Sequence, residues 1–598
     1  MTATTLKEYE HPSANAVGLL DTRFDGRPLV HFRGIKYASI PERFAAPVYE
    51  QRVKQTKLDA TKFGPRCPQI PVDVRDLMQI PKDLEQWPPE VDDEFECLNL
   101  NITVPEKIQG KLPVLIWVYG GAQVVSFSSS AHRLCETGPL AAQAISSGRP
   151  IVLVNPNYRL NLFAYGDGKP NSEKNLHIQD LQLAVRWTVD NIAAFGGDPA
   201  RITIAGESAG SILTHALCLT LPPSISISRA ILCSGSIGTS RFQKSGFFEP
   251  TLERVLKAVR EAAAAQKVES VEDLTLKTAP VSLLVAGMAA GSMMSIPLRE
   301  PDDLADLPSL LGSLTRLEAL MVGDCEFEGV LWMHGVRLLS DEALRECFLG
   351  SSELEEGAGA SYSSRNQCLA STYLDSPSSK ASDTPTLGLG QAQSGALDFM
   401  ADYLFHVANH DIISSVASSN TKVFSYVFDE ANPFPDPKSP AGVPRAHHGV
   451  DLLALWDSYA SEYPVENDGA FANVSKAYRD KIIAFVNGEE PWDAVQSAKD
   501  SKETYAYAFG PRGAHGEITQ DEYAQRRRVE KWAVMKDVGD EVVDGVWRRL
   551  MSAVEKAIRE TMAAMAAAAA AKGKVGVEGA TDDVGKVKLD GGDGKGKL

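Results

Sequence analysis

One seven-residue stretch constrains this chain more than its length does. Ala205-Gly206-Glu207-Ser208-Ala209-Gly210-Ser211 follows the apolar alternation Arg201-Ile202-Thr203-Ile204 and precedes an apolar, helix-compatible run from Ile212 to Leu219. A serine between two glycines at a strand-to-helix turn has the form of a nucleophile elbow. The turn is so sharp that a side chain at either flanking position would clash, which accounts for the glycines, and it lifts the hydroxyl clear of the backbone. A G-x-S-x-G pentapeptide also arises by chance as an inert corner in long chains, so the remaining sequence has to supply the partners such a serine needs.

Short β-branched or apolar runs bounded by turn residues predict buried strands at Val114 to Tyr119, Ile151 to Val154, Arg201 to Ala205, Ala230 to Cys233, Ala319 to Val322 and Val423 to Phe428. Between the second and third lies a helical pattern from Asn175 to Phe195, closed by the turn Gly196-Gly197-Asp198-Pro199. Strands alternating with helices predict an α/β fold, with a large, mostly parallel central sheet covered by helices on both faces. Ligands of such sheets bind at the carboxyl ends of the strands.

At 598 residues, a prior of ~150 residues per domain gives about four domains, but large α/β enzymes often form one. The reading is a single domain over 1–540 with a loop insertion near 349–395, a C-terminal helix over 541–572, and a disordered Gly-, Lys- and Asp-rich tail over 573–598. Within the insertion, Gly388-Leu389-Gly390-Gln391-Ala392-Gln393 lacks the third glycine of a dinucleotide fingerprint. Ala396 after Gly395 stands where a phosphate loop needs lysine.

A formal charge of −18 argues against a nucleic-acid partner and against life on anionic membranes. The segment Met1 to Val17 lacks the apolar core of a secretory signal, and no run of about 18 apolar residues offers a membrane span. The expectation is a cytoplasmic protein without integral membrane association. Eight cysteines over 598 residues are too sparse for a disulfide scaffold, with one or two bridges at most, and no zinc-type spacing appears. Neither a metal nor an organic cofactor is expected. Without a secretion signal, the triplets at Asn101 and Asn473 read as chance glycosylation matches.

A serine hydroxyl needs a base to take its proton, so the elbow predicts a downstream histidine with a carboxylate between the two. After residue 328 the histidines are His334, His406, His410, His447, His448 and His515. The segment Pro444 to Leu452, with His447-His448-Gly449, is turn-like and opens an apolar helix pattern, suiting a loop that delivers a base above the sheet. Past the strand at Ala319 to Val322, Asp324, Glu326 and Glu328 are all candidate acids. Donors for the oxyanion of a tetrahedral intermediate are expected from the amide of Ala209 and from a small-residue loop after an earlier strand. Tyr119-Gly120-Gly121-Ala122-Gln123 fits that place.

Over about residues 15 to 515 the chain resembles the type-B carboxylesterases, the family of cholinesterases and large fungal esterases and lipases. The matching landmarks run in order: Phe32-Arg33-Gly34-Ile35-Lys36-Tyr37-Ala38, Glu96-Cys97-Leu98-Asn99-Leu100-Asn101, Asn157-Tyr158-Arg159-Leu160, the stretch Asn191 to Pro199, and the elbow Gly206 to Ser211. The resemblance implies an α/β-hydrolase fold and a serine-dependent ester hydrolase. It implies Ser208 as nucleophile, Glu328 as acid and His448 as base, with Asp324 or Glu326 and His447 as the rivals. It implies oxyanion donors at the amides of Gly121, Ala122 and Ala209, and a bridge between Cys67 and Cys97 closing a loop at the mouth of the site. That loop carries Val72, Leu77, Met78, Ile80, Leu84 and Trp87 among many acids, and reads as an acidic rim before an interfacial lid.

Two departures stand out. Ala122 replaces the family's usual third glycine and Gln123 a common aromatic, while Phe95-Glu96 replaces a pair of acids before Cys97. The implied substrate is a small-molecule ester. Two other readings stay open at this level: a catalytically silent binding or scaffold protein, and an acyltransferase using the same three side chains.

Overall fold

The computed structural model describes residues 6–578 apart from 25, 52–55, 85, 88–89, 170–171, 241–242, 244–247, 292, 294, 300–313, 351–359, 377–387, 418, 435–444, 465–468 and 496–502. Its contacts divide the chain into two compact units. The first holds 1–331, 379–388 and 398–533, and the second 332–378, 389–397 and 534–598.

The first unit is built on one large mixed sheet. Along the chain its strands are β1 (Lys7–His11), β2 (Ala16–Asp21), β3 (Leu29–Lys36), β4 (Asn99–Pro105), β5 (Leu112–Val118), β6 (Val152–Pro156), β7 (Gly197–Glu207), β8 (Arg229–Cys233), β9 (Ala319–Cys325), β10 (Lys422–Phe428), β11 (Thr504–Phe509) and β12 (His515–Thr519). Across the sheet they stand in the order β1-β2-β3-β4-β6-β5-β7-β8-β9-β10-β11-β12, with a two-residue strand at Leu58–Asp59 beside β2. In that order all neighbours from β6 to β11 are parallel and the pairs from β1 to β6 and β11 with β12 are antiparallel, while Leu58–Asp59 runs parallel to β2.

The parallel strands are buried on both faces, which is why they read as continuous apolar runs. In β5, Val114, Ile116 and Val118 pack into one core with Ile202, Ile204, Leu232 and Leu320. Leu115 and Trp117 pack into the other with Ala205, Ile231, Met321 and Phe424. All six expected strands are present. The helix expected over 175–195 is an α-helix at Leu176–Asn191 continued by a 3-10 turn at Ile192–Phe195. β7 begins at Gly197, inside the expected turn, and its pairing with β5 shifts register between Gly197 and Ile202.

The second unit is helical. It holds helices at Asp341–Leu349, Ala360–Ala370 and Asp540–Glu578. Trp332 and Trp547 pack edge to face at 5.4 Å, and Arg549 Nε donates to the carbonyl of Cys347 at 2.6 Å. Residues 1–540, expected as one domain, fall in both units, and within the loop insertion expected near 349–395 the described residues Ala360–Ala370 and those from Gln391 are helical. The C-terminal helix extends past 572 to Glu578, so the first residues of the expected tail are helical, and 579–598 lie outside the described residues. No helix among the described residues is long and apolar enough to cross a membrane.

Candidate active site

The carboxyl ends of β5, β7, β8 and β9 converge on Ser208. β7 ends at Glu207, and the helix Ala209–Thr220 starts two residues later, so Ser208 alone makes the turn, at φ 56 and ψ −126. That conformation is strained for a residue with a Cβ and persists because the surroundings fix it. Ser208 N donates to the carbonyl of Cys233 at the end of β8. The flanking glycines have no room for a side chain: a Cβ on Gly206 would stand 2.4 Å from the backbone of Gly210, and one on Gly210 would stand 2.1 Å from the carbonyl oxygen of Val118.

His448 reaches the serine from the loop before the helix Val450–Trp456, and its Nε2 lies 2.9 Å from Ser208 Oγ. Nδ1 of the same ring is hydrogen-bonded to Oε2 of Glu328, just beyond β9. The loop is held to that strand end by backbone bonds, Phe327 N to Ala446 O and His448 N to Phe327 O. Oε1 of Glu328 accepts from the amide of Cys325 and from Ser234 Oγ, each at 2.7 Å. Burial pushes this carboxyl up, but the charge and hydrogen bond of His448 outweigh burial and hold it below its ordinary value.

The rival residues are engaged elsewhere. Asp324 receives Arg527 Nε at 2.6 Å and Asn409 Nδ2 at 2.9 Å. Glu326 lies 3.8 Å from Arg445, and His447 meets Asn432 Nδ2 at 2.7 Å through Nε2. Residue type and spacing left these open, and contact separates them.

Two carboxyls beside the base escaped the sequence reading. Oε1 of Glu207 sits 3.2 Å from His448 Nε2. Burial lifts Glu207 to about 8, and burial with the charge of Glu328 lifts Asp451, in the helix after the base, to about 7. Burial disfavours charge on His448, yet the charge and hydrogen bond of Glu328, joined by Glu207 and Asp451 as these ionise, outweigh it and raise the imidazole to about 9. Adjacency to the elbow at Glu207, and to the base at Asp451, was the available signal, but neither spacing marks a role.

The loop after β5 turns sharply. Gly121, Ala122 and Gln123 have φ of 120, 55 and 60. Among the described residues, the amides of Gly121 and Ala122 donate to no protein acceptor. Ala209 opens its helix, so its amide is one of the donors that a helix start leaves unpaired. Three free donors, a 2.9 Å serine–imidazole contact and an ionised acid behind the imidazole suit acyl transfer through a tetrahedral intermediate. Cys67 and Cys97, for which the resemblance implies a bridge, are free buried thiols here, the Cys67 sulfur facing the carbonyls of Pro68 and Leu160 and the Cys97 sulfur that of Glu94. Among the described residues no cluster of His, Cys, Asp and Glu is placed to hold a metal.

The profile of the carboxylesterase family matches residues 17–506. The chain belongs to the carboxylesterase family. This esterase is 27% identical to Lipase 3 of Yarrowia lipolytica over 500 residues, which span 81% of this chain and 89% of that protein. It is 30% identical to the para-nitrobenzyl esterase of Bacillus subtilis over 313 residues, 50% of this chain and 60% of that protein. A solved PNB esterase superposes with a TM-score of 0.61 at 22% identity, covering 88% of this chain and 99% of the other, which places the fold as α/β-hydrolase. The esterase is a carboxylic ester hydrolase, and small-molecule esters are the substrates such a family implies.

Proposed function

We propose that this esterase cleaves esters through an acyl-enzyme on Ser208, with His448 as general base and acid, Glu328 as the group that orients and stabilises the imidazolium, and the amides of Gly121, Ala122 and Ala209 as the oxyanion hole. The observation that carries the reading is the unbroken line from Ser208 Oγ to His448 Nε2, at 2.9 Å, and on through Nδ1 to Glu328.

In acylation, Oγ attacks the ester carbonyl carbon as its proton passes to His448 Nε2. The carbonyl oxygen becomes an oxyanion and accepts from the three amides, which need no reorganisation because no protein acceptor competes for them. Collapse of the intermediate breaks the bond to the alcohol, which takes the proton from His448. Water, deprotonated by the same nitrogen, then attacks the acyl carbon, and the acid leaves as Oγ recovers its proton. Glu328, held ionised by two hydrogen bonds on its second oxygen, keeps Nδ1 protonated throughout.

The test is a series of p-nitrophenyl esters of rising acyl length, assayed on the native protein and on Ser208→Ala, together with labelling by an organophosphonate. Turnover confined to the native protein, with one label per chain, is expected. Equal turnover by the two proteins would reject Ser208 as nucleophile.

A further inference from the structure

The oxyanion loop contains a contact that the chemistry above leaves unused. Ala122 and Gln123 both carry Cβ atoms at positive φ, a conformation disfavoured for every residue but glycine. Rotation of Ala122 back to negative φ would swing the peptide plane that carries its amide, so something has to hold the loop in its strained form. Backbone bonds hold part of it: Val124 N and Val125 N donate to Gly121 O, and Asn161 N donates to Gln123 O at 2.7 Å.

Side chains tie the loop as well: Gly120 N donates to Ser128 Oγ, Asn161 Nδ2 donates to Val124 O, and a further bond is made by Gln123 itself. Gln123 is 2% exposed, and its Oε1 lies 2.7 Å from Nε2 of His177, itself 1% exposed, in the first turn of the helix Leu176–Asn191. Burial pulls His177 down to about 3, so the ring is neutral across the working range and Nε2–H donates to Oε1. The helix start is a firm anchor. Asn175 exchanges two 2.8 Å bonds with the backbone of Arg299, and Asp180 accepts from Arg159 Nε at 2.9 Å and from its Nη2 at 2.6 Å.

We propose that the Gln123–His177 hydrogen bond is a positioning clamp for the oxyanion hole, tying the strained loop to a rigid helix so that the Ala122 amide stays turned toward the developing oxyanion. The clamp rests on the oxyanion role given to Gly121 and Ala122 above. Gln123 and His177 are positioning residues, acting on substrate only through the backbone of the loop. The departure from the family's common aromatic at 123 is then part of a pair: a buried amide whose oxygen needs a donor, and a buried imidazole that supplies it.

The test uses Gln123→Met and His177→Phe, which keep bulk and remove the bond, the double variant, and His177→Gln, whose amide can again donate. Readouts are kcat and KM on p-nitrophenyl butyrate, the Ki of a trifluoromethyl ketone that mimics the tetrahedral intermediate, and the thermal midpoint. A misplacement on the scale of an ångström costs on the order of 100-fold. Each single variant is therefore expected to lose ~10–100-fold in kcat with KM nearly unchanged, and the ketone Ki should rise in step with the loss in kcat/KM. The double variant should lose no more than the worse single, and His177→Gln should recover most of the rate. If the single variants keep native kcat, or lose rate only in step with the thermal midpoint while the ketone binds as before, the clamp is overturned. Ser208→Ala, assayed alongside, separates the cases: turnover by that variant would overturn the underlying mechanism, whereas its inactivity beside fully active clamp variants rejects the clamp alone.

Discussion

The two flanks of Ser208 are held by different physics. On the His448 side, side chains from the ends of β7 and β9 and from the helix after the base share charge in a dry cluster, with Glu207, Glu328 and Asp451 around one imidazole. On the Gly121 side, the donors are backbone amides kept in place by left-handed dihedrals and by hydrogen bonds between neutral groups. The comparison separates two vulnerabilities. The charged flank should respond to pH and to substitutions that change charge without changing shape. The backbone flank should respond to added carbon atoms and be indifferent to pH.

The largest effect should come from Glu328→Gln. The amide keeps the volume but supplies no negative charge for the imidazolium, and its NH2 group favours the wrong tautomer of His448. A loss of about 10⁴-fold in kcat is expected, the scale seen when a triad acid is made neutral. A loss under about 10-fold would assign the orienting role to another carboxyl, and Glu207 would be the first to examine. On the opposite flank, Gly121→Ala would place a Cβ 2.0 Å from the carbonyl oxygen of Val125, at a φ of 120. The loop has to shift, and two donors shift with it, so ~10²–10³-fold should be lost from kcat. The pH profile of the remaining activity should match that of the native protein. A displaced profile would show that the two flanks are coupled, and the comparison would fail.

How much of this was legible in the sequence follows from the same division. The parallel strands were visible because burial on both faces makes each a short apolar run, and the elbow because its glycines are forced by backbone contact. The half-exposed β1, Lys-Glu-Tyr-Glu-His, has no such run, so the antiparallel edge of the sheet left no comparable mark. The helix Ala360–Ala370 is Ser-rich, with its few apolar residues near its ends and no clear stripe, so its sequence reads as loop. Ser208, His448 and Glu328 were narrowed by order and motif, but what separates Glu328 from Asp324 is Arg527, 203 residues from Asp324 and with no mark in its own neighbourhood. Glu207 and Asp451 carry no mark for the same reason: their effect on His448 comes from charge that the fold brings close to the ring, which spacing does not encode.

The pH dependence sharpens the charged flank. A base acts only when neutral, and His448 is lifted to about 9 by the surrounding carboxylates. The kcat/KM profile should therefore fall on acidification along a limb displaced upward from that of an ordinary imidazole. Glu207→Gln removes one of the groups doing the lifting, so the limb should move to lower pH and activity near neutrality should be retained or increased. A limb that stays in place, or moves up, would show that Glu207 does not act on the base through charge.

Ala122→Gly should have the smallest effect. Releasing the Cβ from a left-handed position gains about 1–2 kcal/mol. The extra freedom of glycine in the unfolded chain costs ~0.5–1 kcal/mol. The two nearly cancel, so the thermal midpoint should rise only slightly, and the amide at 122 is still present, so kcat on p-nitrophenyl acetate should change little. The informative measurement is the ratio of long to short acyl esters. If the methyl group of Ala122 narrows the acyl side of the site, glycine should raise turnover of the longer esters relative to the acetate. If the ratio is unchanged and kcat drops instead, the methyl group is part of what keeps the loop in its strained form, and the backbone flank depends on side-chain packing as well as on dihedral geometry.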